Sequence, residues 1–329
     1  MRAWRVNELG HPTTALSLED IPSPEPAAGE VRIRVEATTV NFADILVCQG
    51  IYQDRPGVPL TPGTESCGII QAVGPGVDLA IGTRVAGMTN MKHGGFAEEA
   101  LVKAATALVM PDDLEAADAT VLYSTFQTAH VGLFHRCNLE AGDWVVILGA
   151  SSGVGAAAVQ LASARGARVI ATAGGEAKRA HCRTLGAEIT VDSTGDGAAD
   201  ALYEAAMQAT DGAGVNVAFD PVGGPLGEVT RRLMGFEGQL VVIGFTSGSI
   251  PSYPANHVLV KNYTVHGMAW AEYAARRRSV IEAAHDDLLD LFHQGRIRTD
   301  VETIALDALP EALAALEART VTGRLALVP

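Results

Sequence analysis

"GASSGVGAAAVQLA", residues 149–162, follows the apolar run Trp144-Val145-Val146-Ile147-Leu148. A buried strand ending in a tight turn of small residues, with an alanine-rich helix starting there, is the form of a nucleotide-binding βα unit. The dinucleotide fingerprint G-x-G-x-x-G uses its first glycine for the turn, its second for close approach of a pyrophosphate and its third for helix–strand packing. Here those positions read Ala150, Ser152 and Gly155, with Gly153 between them. The candidate phosphate-facing residues are Ala150, Ser151, Ser152, Gly153, Val154 and Gly155. The turn fits a phosphate held by the free N–H groups of a helix N-terminus, or an ordinary turn with no ligand.

Outward from this turn, strands and helices alternate. "ARVIATA" is a strand and "GEAKRAHCRTLG" a helix; "EITVDS", "VNVAFDPVGG" and "GQLVVIGF" are strands, and "NYTVHGM" (262–268) is a last one. That alternation predicts a parallel sheet with crossover helices. Before it, "VRIRVEA" (31–37), "SCGIIQAVG" (66–74) and "GTRVAGM" (82–88) alternate or are bounded by Gly and Pro, so the first 110 residues or so read as β-rich. After it come the helix "SVIEAAHDDLLDLFHQG", another near 308–318 and a closing strand, "GRLALVP".

The second strand of the α/β half ends in Ala173-Gly174-Gly175, with Lys178 and Arg179 just beyond. An NAD site places an acid at that strand end to grip the ribose 2′-hydroxyl. A missing acid with cations nearby suits a 2′-phosphate, hence NADPH; alternatively the two cations are a solvated helix face, and Glu176 sits beside them.

The 329 residues carry a formal charge of −14, which counts against nucleic acid and anionic membranes as partners. The N-terminal residues lack the apolar core of a signal peptide, and no apolar run reaches the ~20 residues that span a bilayer. Four separated cysteines without a C-x-x-C pair fit reduced thiols in a cytoplasmic protein.

Several stretches in order along the chain carry a wider resemblance. They are "VEATTVNFADILVCQGIY" (35–52), "PGTESCGIIQAVGPGV" (62–77), "GGFAEEALV" (94–102), "FQTA" (126–129), residues 141–162, "FDPVGG" (219–224), "VVIGF" (241–245) and "TGRLALV" (322–328). Together they resemble the zinc-free quinone oxidoreductase (zeta-crystallin-like) group of the medium-chain dehydrogenase/reductase superfamily. The resemblance implies an α/β protein: a GroES-like β-rich catalytic domain (1–124 and 269–329) plus a Rossmann doubly wound parallel-sheet domain (125–268). It implies NADPH in the cleft between them and a homodimer paired through the edge strand "NYTVHGM". Thr128 resembles the residue beside the nicotinamide ring; Gly174, Lys178, Arg179 and Phe245 complete the cofactor set.

Zinc-dependent relatives carry Cys where this chain has Asn41 and His-Glu where it has Thr64-Glu65, so no metal is expected. Residues matching the family's pocket are Asn41, Asp44, Tyr52 and Thr64. Asn41 and Tyr52 could donate to a substrate oxygen, while Asp44 orients neighbours or serves the fold; each also has a reading as a turn cap or packing residue. In some members a tyrosine helps to hold the cofactor phosphate where this chain has Asp192. The implied reaction is zinc-independent hydride transfer to quinones or related conjugated carbonyls. The alternatives are an enoyl reductase acting on enoyl thioesters or small enals, and a nucleotide-binding protein with little turnover. The loop "GIYQDRPGVPL" (50–60) is expected to shape the choice of substrate.

Overall fold

A computed structural model of the chain describes residues 1–52 and 55–329. Gln53 and Asp54, in the loop expected to shape substrate choice, lie outside the described residues. The chain opens with β1 (Arg2–Val6), the one-turn helix α1 (Pro12–Ala15) and β2 (Leu16–Asp20). Then come β3 (Glu30–Val40), α2 (Phe42–Gln49), β4 (Glu65–Val73), β5 (Arg84–Met88), β6 (Glu99–Lys103), β7 (Leu108–Val109) and α3 (Ala116–Thr120). The central stretch holds α4 (Gln127–His130), β8 (Trp144–Ile147), α5 (Gly153–Ala164), β9 (Arg168–Ala173), α6 (Glu176–Thr184), β10 (Ile189–Asp192) and α7 (Ala198–Ala209). It continues with β11 (Val215–Asp220), α8 (Gly224–Leu233), β12 (Met234–Val242), α9 (Ala255–Lys261), β13 (Thr264–Gly267), α10 (Trp270–Arg276) and α11 (Arg278–His293). Last are β14 (Val301–Ala305), α12 (Leu309–Glu317) and β15 (Arg324–Val328).

These elements form two compact units, Met1–Ser124 with Thr299–Pro329, and Thr125–Arg298. In the first, strands run in the order β14-β15-β3-β4-β5-β7, with β6 also paired to β3. β3 shows why: Val31, Ile33 and Val35 are buried while Arg34 is exposed, the alternation of a half-buried strand. The returning segment completes this unit's core. Trp4, Val40, Ile45 and Phe96 pack with Leu306, Leu309, Leu313, Leu325 and Leu327, and the Trp4 indole N–H donates to the Leu306 carbonyl at 2.8 Å. Each large apolar side chain so buried contributes about 1.5–3 kcal/mol against the entropy of ordering the segment.

The second unit is one six-stranded sheet in the order β10-β9-β8-β11-β12-β13. Every pairing in it is parallel. This is the doubly wound nucleotide-binding order, with a topological switch between β8 and β11. Val145–Ile147, Val169–Ala171 and Val217–Phe219 are all buried, as strands covered on both faces require.

The first division falls after Ser124. The second falls after Arg298, not after residue 268 as the sequence reading placed it. Residues 269–298 remain with the parallel sheet because α11 buries Ile281, Ala284, Leu288 and Leu291. Polar bonds within that unit hold the same segment. Trp270 Nε1 donates to Gln127 Oε1 (3.1 Å), His130 bonds Asp287 (2.8 Å), and the Gln160 side chain bonds both backbone groups of Arg298 (2.9 and 2.8 Å).

Candidate functional site

At the carboxyl end of β8 the turn residue with left-handed backbone is Gly149 (φ +58°), one place before Ala150. Its N–H donates to Thr172 Oγ1 (3.1 Å), and Ala150 N–H to the Thr172 carbonyl (2.8 Å), which ties the turn to β9. Ser152 is the N-cap of α5: its hydroxyl accepts the Gly155 N–H at 3.4 Å. Gly155 meets the packing demand, because a Cβ there would sit 2.2 Å from the Gly149 carbonyl oxygen. The N–H groups of Gly153 and Val154, in the first turn of a 12-residue helix, have no intrahelical acceptor and face the end where the dipole favours an anion. A dinucleotide pyrophosphate fits this cradle.

Other strand ends converge on the same edge of the sheet, where ligands of such sheets bind. Gly174 follows β9, with Lys178 and Arg179 in the opening turns of α6. Asp220 ends β11, wholly buried, and accepts the N–H groups of Val222 (2.8 Å) and Gly223 (2.7 Å). Phe245, half exposed, follows β12. Thr128 lies half-buried on α4, which packs on α5. Asp192 ends β10 in register with Ala173.

In the first unit, Asn41 closes β3 and precedes α2, and Thr64 and Glu65 lie at the start of β4. Their side chains converge on the buried Glu65 carboxylate. Its Oε1 accepts from Thr39 (2.6 Å), the Asn41 amide (2.8 Å) and Ser124 (2.6 Å), and its Oε2 from the Thr64 hydroxyl (2.8 Å). The Arg324 guanidinium donates to Asn41 Oδ1, and the Arg324 Nε–H is buried without a partner. Asp44, wholly buried, accepts the backbone N–H of Asn41 (2.8 Å) and of Gly63 (3.2 Å). The first of these bonds fixes where α2 begins. Burial pushes the Asp44 carboxyl up to about 7; the charge on Glu65 adds to the push, while the two backbone N–H groups and Arg324 oppose it.

Asn41, Asp44 and Thr64 are therefore one cluster, and its arrangement serves the fold as well as any ligand. Tyr52 stands apart from it. After α2 ends at Gly50 (φ +70°), the Tyr52 N–H returns to the Leu46 carbonyl (3.2 Å). The Tyr52 ring packs on Val6, Val47, Cys48, Leu60 and Met91. The cluster members absent from the sequence reading are Thr39, Ser124 and Arg324. Arg324 lies 283 positions from Asn41, and only the pairing of β15 with β3 brings it there. Among the described residues, no group of three or more His, Cys, Asp or Glu side chains is placed to hold a metal ion.

Residues 27–112 match the alcohol dehydrogenase GroES-like domain, and residues 153–288 the zinc-binding dehydrogenase family. The protein thus combines a GroES-like domain with a Rossmann-like parallel-sheet domain, the plan of the medium-chain dehydrogenase/reductases. It is 34% identical over 331 residues to quinone oxidoreductase-like protein 2 homolog of Nematostella vectensis, covering 99% of this chain and 88% of that one. The chain belongs to the quinone oxidoreductase-like family of that superfamily. A solved structure of mycobacterial Rv1454c complexed with NADPH superposes with a TM-score of 0.90 at 28% identity, covering 100% of both chains. A 220-residue stretch, 67% of this chain, is 36% identical to a mycocerosic acid synthase-like polyketide synthase of Mycobacterium tuberculosis and spans 10% of that protein.

Proposed function

We propose that this protein is a cytoplasmic, NADPH-dependent, zinc-independent reductase of quinones or related conjugated carbonyls. One observation carries the metal-free reading. At the positions where zinc-dependent relatives present a thiolate and an imidazole, an amide and a hydroxyl both donate to Glu65. Neither group is a good zinc ligand, and both are already spent on a carboxylate. The cofactor, when bound, supplies the hydride. The helix N-terminus at Gly153 and Val154 holds its pyrophosphate, and Lys178 with Arg179 faces a 2′-phosphate. Hydride addition drives negative charge onto the substrate oxygen, and a metal-free site must meet that charge with hydrogen-bond donors. The proposed donors are the Asn41 amide and the Tyr52 hydroxyl, and Thr64 lines the wall. Asp44 holds the start of α2. Supporting a cytoplasmic setting, all four cysteines are buried and unpaired, and no helix of the described residues is long and apolar enough to cross a membrane.

NADPH oxidation measured with a panel of quinones, enals and enoyl thioesters, with and without chelator, tests this reading. Turnover of quinones that survives chelation supports it; loss to chelation, or turnover confined to enoyl thioesters, overturns it. The second outcome is the enoyl reductase reading, which the polyketide synthase similarity favours. In the same assay Tyr52→Phe is expected to lower enal turnover about 100-fold and quinone turnover only several-fold, with NADPH binding unchanged. A reduced quinone oxygen is a weaker base and depends less on a donor. If both activities survive intact, the ring serves packing alone.

The acting form is proposed to be a homodimer. β13 is the outermost strand of its sheet, with an edge unpaired among the described residues, and the neighbouring Phe236, Leu259 and Val260 are 75%, 75% and 79% exposed. Light scattering at micromolar concentration is expected to give twice the chain mass; a monomer mass overturns the proposal.

A further inference from the structure

Nothing at the tip of β9 itself can grip a ribose 2′-hydroxyl, since the residue there is Ala173. The neighbouring strand supplies what is missing. Asp192 pairs in register with Ala173 and ends β10 at the same level of the sheet. Its Oδ1 accepts the Gly175 N–H (3.3 Å), the Thr194 N–H (3.0 Å) and the Thr194 hydroxyl (2.7 Å). Three bonds from two residues fix the carboxylate beside the Gly174–Gly175 turn. Its other oxygen lies 3.6 Å from Arg179 Nη2, which also meets Glu176 Oε2 at 3.0 Å. Arg179 is thus held between two acids, yet its Nε–H is buried and unpartnered. The guanidinium therefore has a fixed negative charge standing next to it.

We infer that Asp192 is a selectivity residue for the nucleotide, opposing a 2′-phosphate and accepting a 2′-hydroxyl, so that the protein takes NADH as well as NADPH. The inference rests on the cofactor use proposed above. A 2′-phosphate drawn to Arg179 and Lys178 must come close to the Asp192 carboxylate, and the like charges repel. A free 2′-hydroxyl donates to that carboxylate. The hydrogen bonds from Thr194 and Gly175 hold the Asp192 pKa below its ordinary value, so the opposing charge persists at neutral pH. The positive side of the balance is Arg179 and Lys178, the negative side Asp192 and Glu176. Arg183, on the same helix, is occupied with Glu176 and Thr190.

The test is binding, read by nicotinamide fluorescence on the full chain with NADPH and with NADH. Wild type is expected to bind both. Asp192→Asn keeps an acceptor oxygen for Gly175 and Thr194, removes the charge and puts an amide NH2 where the second oxygen faced Arg179. It is expected to tighten NADPH about five- to tenfold and to weaken NADH about threefold. Arg179→Gln is expected to weaken NADPH about tenfold and leave NADH within about twofold. Because Arg179→Gln alters a different element, it serves even if Asp192→Asn disturbs folding. A shift of both nucleotides by the same factor in Asp192→Asn, or no shift, overturns the inference and leaves cofactor use standing. Failure of wild type to bind either nucleotide overturns both.

Discussion

Relative to wild type, Asp44→Asn is expected to gain roughly 4 kcal/mol of folding stability between pH 4 and pH 8. The folded-state pKa of Asp44 is raised to about 7, above its ordinary value of 3.8, with burial as the main cause. Between those values the folded chain holds a proton that the unfolded chain has released. The group's contribution is therefore complete below about pH 4 and is lost as pH rises through 7. Asparagine does not titrate, so its stability lacks this decline. A constant offset of about 1–3 kcal/mol is expected as well, because the amide has one acceptor oxygen for the N–H groups of Asn41 and Gly63. Urea unfolding of both proteins across this range gives the difference directly, and the other titrating groups cancel in it. A difference independent of pH would mean that Asp44 is ionised throughout.

Gly155→Ala is expected to cost roughly 3 kcal/mol of stability and to weaken NADPH binding by about 100-fold or more. The added Cβ would meet the Gly149 carbonyl oxygen at 2.2 Å, the Gly149 carbonyl carbon at 2.8 Å and Ala150 Cα at 2.9 Å. All three are backbone atoms of the turn, so no side chain can swing aside. Relief requires α5 to move away from β8, which carries the N–H groups of Gly153 and Val154 out of position. Gly197→Ala is the control. It lies at φ −90° with no atom within 4 Å of a new Cβ, and a change of less than about 0.5 kcal/mol is expected. Thermal unfolding and nucleotide titration of both variants check the pair; tight nucleotide binding by Gly155→Ala would show that the turn is not the phosphate cradle.

The α/β half was legible because its strands are continuous apolar runs and its turns use glycine where backbones nearly touch. α7 escaped notice: its buried side is only Ala198, Leu202 and Ala206, too small to stand out among the surrounding alanines. α2 escaped because "FADILVCQ" prolongs the apolar character of β3, and its start depends on the Asp44 carboxylate rather than on periodicity. The far boundary was misplaced because α11 has an ordinary amphipathic pattern that does not say which sheet it covers. The cluster around Glu65 was only half legible. Thr64, Asn41 and Asp44 lie close in sequence, but the hydrogen bond from Arg324 depends on strand pairing that no local pattern encodes.

The return of β15 to β3 also sets an order of events during synthesis. The parallel-sheet unit is one uninterrupted stretch, Thr125–Arg298, and all its parts are present once that stretch has been made. The other unit must wait. The edge of β3 at Thr38–Val40 that pairs with β15 is covered only when Leu325–Leu327 emerges, and Asn41 meets Arg324 at the same moment. At ribosomal speed that delay is roughly 10–40 seconds after residue 124. For that interval the nascent chain displays an open strand edge and an uncovered apolar surface around Trp4, Ile45 and Phe96. The half made first is thus the half finished last.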